Sequence, residues 1–587
     1  MNREIELKIE QAFPQELEKQ FRNNYRELFA AKGASAVGAV IQELRGLQSA
    51  VFYRLVAGGR TKGFAVVDRK TSTIKGFFLQ PGKRVGEDED SFFELLMEKH
   101  KLISIEVPEK DTRRVDALIA RGFRPARKLT VNEIAMLHMD LSIAVYLEFI
   151  RKKIPPDYPH NETVALERVG AGHSDAEIRS GLENLLDNLG GLARFIKPGQ
   201  TAVIKPNLVS EHGLKNGVKK GGIATDIGVI KGMIDILMPI AGKIIIAEGS
   251  SINRSETGRM FAHYGLDRLK EEYGRKLSLV DLNSDACRPV TIPDGRRMTT
   301  RDIPRTLLEA DLVINMPVLK LHFAAGASLS IKNLQGAIPP LEKYKVHFYG
   351  LWQNLINTYK IIKPGLIIID GLFGQEGFGP ISGTPRKTDL LIGGTNPVAV
   401  DTVALQVMGL NPVDSPPVYM ACHEGLGPME PGLIDVKGTP VAEVAAVFER
   451  AQINLADGKH FTIHDGDACP GCRGYLHFTL NKLRRPDPRN PGHLLIDRPL
   501  ENKVNLFLGP KNKKVIDPDA INIFMGACQR HNAGKDGIYL PGCPPHTEEI
   551  IGGIFGLYPD IQRPGYADKS EEAKLGDMLK TILTSNQ

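Results

Sequence analysis

From residue 163 to residue 455, short and nearly continuous apolar runs alternate with stretches in which apolar residues recur every three or four positions. The runs at 202–204, 243–247, 277–282, 312–315 and 366–369 are rich in Ile, Val and Leu, the composition of strands buried on both faces. The stretches between them, such as 226–240 and 257–273, follow a helical period. This alternation predicts an α/β fold class, with a parallel doubly wound sheet covered by helices on both faces. Residues 1–140 predict an α+β order instead: strands at 64–68 and 74–79, a loop at 80–86, a helix at 91–100, a strand at 102–107 and a helix at 112–121 stopped by Gly122. Residues 141–162 read as a connecting helix (141–154) and a Pro-rich linker at 155–159, where proline ends the helix. Residues 456–587 predict a small α/β tail, with strands at 461–463, 521–524 and 537–540 and helices at 475–483 and from 547.

In the middle segment each apolar run leads into polar residues. The first gives Lys205 and Asn207, the second Glu248, Ser250 and Ser251, the third Asp281 and Asn283, the fourth Lys320 and His322, the fifth Asp370. Strand ends meet solvent in any protein, so one such residue says little. Five together predict a crevice, because ligands of open parallel sheets bind beyond the carboxyl ends of the strands. Lys205, Lys320, Lys332 and His322 offer positive charge, and Asn207 and Asn333 offer amides, a set suited to a carboxylate or phosphate. Lys320, His322, Lys332, Asn333 and Lys205 are the expected catalytic residues, because a desolvated lysine can act as a base. Asn207, Glu248 and Asp370 are expected to bind the ligand or cofactor. His347 is a further candidate. Residues 374–379 are glycine-rich, but Pro380 follows and no helix starts there, so a phosphate cradle is not supported.

Composition narrows the classes. The chain has 587 residues, with 75 Lys and Arg against 69 Asp and Glu, a net charge of +6. So weak a bias predicts no nucleic-acid partner. The N-terminus carries acidic residues and no apolar signal region, and no apolar run approaches the ~18 residues of a membrane span, so a cytoplasmic protein without a membrane partner is expected. The expected partners are a small anionic molecule and a redox protein. Six cysteines are too few for a disulfide framework.

Four of the six fall between 469 and 543, and all four follow apolar strands. Cys469-Pro-Gly-Cys472 places two thiolates on one turn, and Cys528 and Cys543 complete a four-sulfur set. Soft thiolates select zinc or iron–sulfur over hard cations. Structural zinc more often uses two Cys-x-x-Cys knuckles, whereas here the last two cysteines stand apart. Pro470 and Pro544 directly follow cysteines, a habit of cluster-binding loops. The residues thus point to an iron–sulfur cluster, with zinc and a redox dithiol at Cys469 and Cys472 as alternatives.

Three resemblances bear on these readings. The motifs VIKPNLV (203–209), GGIATD (221–226), IIIAEGS (244–250), DLVINMPVLKLH (311–322), LSIKNLQG (329–336), IIIDG (367–371) and NPVAVDTVA (396–404) resemble the family labelled domain of unknown function 362. That resemblance implies a prokaryotic, often anaerobic setting and association with iron–sulfur modules, without implying a reaction. The sequence FMGAC…YLPGCPPHTEEII (524–551) resembles the small subunit of nickel–iron hydrogenases and its relative in respiratory complex I. This implies Cys528 and Cys543 as ligands of a 4Fe–4S cluster, while Cys469 and Cys472 rest on spacing alone. The N-terminal order of elements, with Gly122, Phe123 and Arg124, resembles the GNAT acetyltransferases, in which a loop and a helix N-terminus hold the pyrophosphate of acetyl-CoA. Here Lys83-Arg84-Val85-Gly86-Glu87-Asp88 lacks the family's final small residue, and Glu87 to Asp90 would repel pyrophosphate, so a degenerate GNAT-like domain is expected. The expected function is an iron–sulfur oxidoreductase or electron-transfer protein. The alternatives are a non-redox binding protein braced by a cluster or zinc, and an acyltransferase.

Overall fold

The computed structural model describes residues 5–562, apart from most of 11–33 and from 80–84, 102, 132–133, 154–157, 216–217, 251–255, 457–459 and 513–515, with a few positions after 572. Strands β1 (Ile5–Glu10), β2 (Ala50–Ala57), β3 (Arg60–Asp68), β4 (Thr73–Leu79), β5 (Ser104–Pro108), β6 (Phe123–Val131) and β7 (Ile134–Leu141) form one sheet in the order β1-β2-β3-β4-β5-β7-β6. All neighbours are antiparallel except β4 and β5. The helices Val85–His100 and Thr112–Ala120 flank β5 in sequence, as the periodicity predicts. The loop expected to hold pyrophosphate, from Lys83 to Asp88, lies outside the described side chains.

The central segment contributes β8 (Glu162–Arg168), β9 (Thr201–Lys205), the hairpin β10–β11 (Leu214–Lys215, Val218–Lys219), β12 (Lys243–Glu248), β13 (Leu277–Asp281), the hairpin β14–β15 (Cys287–Thr291, Thr300–Pro304), β16 (Leu312–Asn315), β17 (Val318–His322), β18 (Gly326–Ser328), β19 (Leu366–Glu376), β20 (Thr384–Gly394) and β21 (Ile434–Gly438). The main sheet runs β13-β12-β9-β16-β19-β20-β8-β21, with β17 also paired to β19. It is mixed, which corrects the expectation of a wholly parallel sheet. β13, β12, β9, β16 and β19 are parallel, but β20 runs antiparallel to both β19 and β8. The reason is local: β19 and β20 form a long hairpin, so β20 must return against its partner. Both faces are apolar. Val203, Ile245, Val313, Ile367 and Ile369 enter one core, and Ala202, Ile204, Ile244, Ile246, Ile314 and Ile368 enter another. The helix expected at 257–273 is two, Glu256–His263 and Leu266–Tyr273, broken at Gly265, whose φ of 76° lies in the left-handed region.

The tail adds a four-stranded parallel sheet, β22 (Phe461–Asp465), β23 (Val504–Leu508), β24 (Ile521–Met525) and β25 (Ile538–Leu540), in that order. The helix Pro470–Leu483 follows β22 and lies against the β17–β18 turn. One continuous apolar core contains residues of all three segments, among them Phe123, Tyr146, Leu319, Trp352, Leu476 and Ile550. The segments are therefore packed together; the expected Pro-rich linker at 155–159 lies largely outside the described residues. Gly474 shows how closely: a Cβ there would stand 2.6 Å from Phe323 O and 2.9 Å from Ala324 Cα. Backbone cannot yield as a side-chain tip can, so Gly474→Ala is expected to cost about 1–3 kcal/mol, read as a lower urea midpoint with unchanged slope. An unchanged midpoint would mean that the tail does not bear on this turn.

Candidate functional site

The strand ends converge, but into a closed network instead of an open crevice. Lys205, only 1% exposed, sets its ammonium 3.0 Å from both oxygens of Glu248, 2.9 Å from Pro206 O and 3.4 Å from Asn333 Oδ1. Asn333 accepts from Asn207 Nδ2 (2.9 Å) and donates to Asn315 Oδ1 (2.8 Å). Lys320 donates to Asn207 Oδ1 (2.6 Å) and to Ile223 O (2.7 Å). Lys343 reaches Gly249 O (2.7 Å) and Asn283 Oδ1 (2.5 Å) from the helix Pro340–Tyr349. Five of the eight residues expected at the crevice (Lys205, Asn207, Glu248, Lys320 and Asn333) thus share one network. Lys343 and Asn315 were missed: Asn315 ends the apolar run 312–315, so the strand-end pattern could have found it, whereas nothing around Lys343 marks it out.

Two placements differ from expectation. The chain does not end a strand at Asp370: β19 continues through an irregularity to Glu376, and Asp370 is a buried residue accepting from the N–H groups of Asp226 (2.7 Å) and Leu372 (3.0 Å). Lys320 and His322 lie on the separate strand β17, not at the end of β16. His322 accepts from the N–H groups of Ala324 (3.0 Å) and Ala325 (3.2 Å) through Nδ1, which leaves Nε2 as its protonated nitrogen. Lys332, half-buried, makes no hydrogen bond or ion pair among the described residues.

The network carries surplus positive charge. Burial, more than any neighbour, lowers Lys320 and Lys343 to about 7 and Lys332 to about 8. Glu248 acts in the opposite direction on Lys205, Lys320 and Lys343. Burial also lowers His322 well below its ordinary range, and the charges of Lys332 and Lys320 add to that effect. A lysine that titrates near neutrality can exchange a proton with a bound substrate at physiological pH. It also makes stability depend on pH. Unfolded, Lys332 holds its proton up to about 10.5; folded, it gives it up near 8. Between those values the unfolded chain binds more protons, so this residue's contribution rises with pH across the window.

The second feature is a set of buried thiols. Cys469, Cys472, Cys528 and Cys543 are each between 5% and 7% exposed and none is in a disulfide. Cys469 caps the helix Pro470–Leu483, and Cys472 lies in its first turn. Cys528 follows β24 and Cys543 follows β25. The loops are tied together by Gly526 N–H to Leu540 O (2.8 Å) and Ala527 N–H to Gly542 O (2.7 Å). Gly526 has φ 87°, and a Cβ there would approach Cys472 Sγ to 3.2 Å, so the close passage suits glycine. The central segment holds the last cysteine by Cys543 N–H to His347 O (2.6 Å) and Leu351 N–H to Cys543 O (2.8 Å).

All four thiols feel one another. The Cys472 thiol hydrogen-bonds Cys469 and lowers it to about 7. Cys472 in turn is raised, first by that bond, then by burial and by the charges of the other three. Burial raises Cys528 and Cys543, while Arg297 lowers both and Arg124 lowers Cys528. Two cations beside four buried sulfurs suit a centre that is anionic overall. The buried indole N–H of Trp352 makes no well-formed hydrogen bond among the described residues, yet it helps to lower Cys469. It is thus a spare donor beside a sulfur. Among the described residues no three His, Cys, Asp or Glu side chains are grouped to share a single metal ion. Cys287 and Cys422 stand outside this set; both would be expected to fill the core as small apolar side chains, and Cys422 does, but Cys287 is exposed at the start of the hairpin β14–β15.

The two features meet at the helix Pro470–Leu483. Phe323, next to His322, stacks on Phe478 at 5.3 Å and meets Tyr475 edge-on at 5.3 Å. His347 meets Tyr475 at 5.3 Å and His546 at 4.9 Å. A cleft of about 670 Å³ opens beside them, with His322, Phe323, Tyr419 and Cys469 among its walls. No described helix is long and apolar enough to cross a membrane.

Known proteins resemble parts of this chain. Distant structural neighbours cover the N-terminal region. One is the apo form of YjaB from Escherichia coli, 14% identical with a TM-score of 0.21 over 23% of this chain and 96% of that one. Another is a Bacillus subtilis acetyltransferase in complex with CoA, 16% identical with a TM-score of 0.17 over 24% of this chain and 98% of that one. A thylakoid-associated protein of Synechocystis sp. is 29% identical over 258 residues, 42% of this chain and 74% of that protein. Residues 202–406, which carry the lysine network, match the family described as a domain of unknown function, DUF362.

Proposed function

We propose that this chain is an iron–sulfur redox protein acting on a small anionic substrate, with Cys469, Cys472, Cys528 and Cys543 as ligands of a 4Fe–4S cluster. The observation that carries the reading is the gathering of four buried, unbridged thiols from two stretches of chain, with Arg124 and Arg297 beside them. Thiolates alone, without carboxylate or imidazole, form the donor set that such clusters take. Zinc is the alternative occupant of the same four thiolates, and metal analysis separates the two. When bound, the cluster would supply or accept single electrons.

The chain's own residues would do the rest. Lys332 has no anionic partner among the described residues, and Lys320 and His322 stand within its electrostatic reach. An anionic group beside Lys332 would supply the counter-charge that the fold omits. Lys320, near neutrality, would hold or release the substrate's proton, and Asn333 and Lys205 would fix Asn207 in the orientation that aims Lys320. Protein purified without oxygen should contain iron and sulfide, with broad visible absorption that bleaches with dithionite. Colourless, iron-free protein would overturn the reading, and a coloured protein that resists reduction would assign the cluster a bracing role instead.

The anion site has its own test. Phosphate or a small dicarboxylate should raise the melting temperature of the wild-type protein, and Lys332→Met should abolish that rise without lowering stability in anion-free buffer. The same variant should gain less stability than wild type between pH 8 and 10, by at most roughly 3 kcal/mol after allowance for partial exposure. Equal anion response in the two proteins would place the substrate elsewhere.

A further inference from the structure

Ser142 occupies the N-cap of the helix Ile143–Arg151, where a serine hydroxyl ordinarily turns back to bond a backbone N–H of the first turn. Here it makes no such bond. Its Oγ instead stands 2.8 Å from the Sγ of Cys528, buried, while its own N–H is fixed by Gly122 O at 2.7 Å. The hydroxyl has been diverted from its usual local task to a sulfur 386 positions away.

Two neighbours in the same sheet converge on the same place. Arg124, buried, donates to Cys528 O through Nε and to Pro510 O through Nη2 at 2.7 Å. Asp140 holds Arg297 at 2.9 Å, and Leu141 O accepts from the same guanidinium at 2.8 Å. The N-terminal segment therefore lays a hydroxyl and one guanidinium over Cys528 and anchors a second guanidinium beside Cys528 and Cys543.

We propose that the N-terminal segment is the tuning cover of the cysteine centre, with Ser142 as the residue that sets its reduction potential by donating a hydrogen bond to the Cys528 sulfur. This rests on the cluster reading above. A sulfur that ligates metal carries no proton, so the O–H of Ser142 must be the donor. Reduction adds one electron, much of whose charge falls on the sulfurs, and a donor hydrogen bond stabilises that state more than the oxidised one. Ser142 is a positioning residue: it touches the ligand and not the substrate.

The test is a redox titration of the full chain followed by visible absorption or electron paramagnetic resonance. Ser142→Ala is expected to lower the equilibrium constant for reduction roughly tenfold, which is about 59 mV for a one-electron couple. Ser142→Thr, which keeps the hydroxyl, should titrate like wild type, with iron and sulfide content unchanged in both. If the alanine variant does not hold iron, Ser142→Thr is compared with the isosteric Ser142→Val, and the valine protein should show the lower potential. Equal potentials with and without the hydroxyl overturn the proposal. Wild-type protein lacking iron and sulfide fails earlier and separately, because it overturns the cluster reading before any variant is made.

Discussion

If the four thiols hold the proposed 4Fe–4S cluster, replacing Cys543 by alanine is expected to lower the iron content from about four atoms per chain to less than one. The same loss is expected from alanine at Cys469, Cys472 or Cys528, and from none at Cys287 or Cys422. The pattern matters more than any single variant. Four ligands from two sequence stretches should act as one unit, because a cluster lacking one thiolate is exposed to hydrolysis and exchange. The two remaining cysteines are a control built into the chain: one is exposed on the hairpin β14–β15, and the other is buried in a helix with its thiol pushed up to about 12. Metal analysis, acid-labile sulfide and the visible spectrum read the outcome. The binding energy of a metal centre is also folding energy, so each of the four variants should melt below wild type. Full iron in any of them would remove that cysteine from the ligand set.

Glu248→Gln should cost about 3–5 kcal/mol, more than any surface change in the chain, because it leaves buried cations without their carboxylate. Three lysines depend on that one group. It pairs directly with Lys205 and opposes the effect of burial on Lys320 and Lys343. Its oxygens also accept from the N–H groups of Leu208 (3.2 Å) and Gly249 (2.8 Å), so the loops after β9 and β12 lose an anchor as well. Space offers no escape: a Cβ at Gly336 would stand 2.2 Å from Glu248 Oε1 and 2.7 Å from Lys205 Nζ. Replacing both partners, as Lys205→Met with Glu248→Gln, should recover much of the loss, since a neutral pair avoids the uncompensated charge. The measurement is urea denaturation followed by circular dichroism. A single variant as stable as the double would show that the pair contributes nothing beyond its volume.

The features legible in the sequence share a physical cause. A strand buried on both faces has to be a continuous apolar run, so 202–204, 243–247 and 312–315 stand out and fall on β9, β12 and β16. Four cysteines clustered between 469 and 543 stand out for the same kind of reason, since so few residue types can take their place. What stayed hidden depends on partners far away. β20 begins with Thr384, Pro385, Arg386 and Lys387, which form no apolar run; they are strand because β19 pairs with each of them, while β8 pairs only with Leu390 to Gly394. Asp370 looked like a strand end because a charge seldom lies in mid-strand. It is tolerated there because two N–H groups meet its carboxylate, and burial raises it to about 7. The closed state of the lysine network, Lys343 within it and the reach of Ser142 to Cys528 all come from packing between segments, which leaves no local trace.

The order in which the chain is made follows from that packing. The walls of the cysteine centre come from Arg124 and Ser142, then Arg297, then His347 to Trp352, and only then from residues 469 to 543. A ribosome must therefore have made residues 124 to 543 before the final thiol can take its place. Until then the earlier walls enclose nothing, and the finished sulfurs are open to oxidants and to stray metal. A cluster at this centre would therefore find its last ligand only once residue 543 has been made and the tail has docked against the earlier walls.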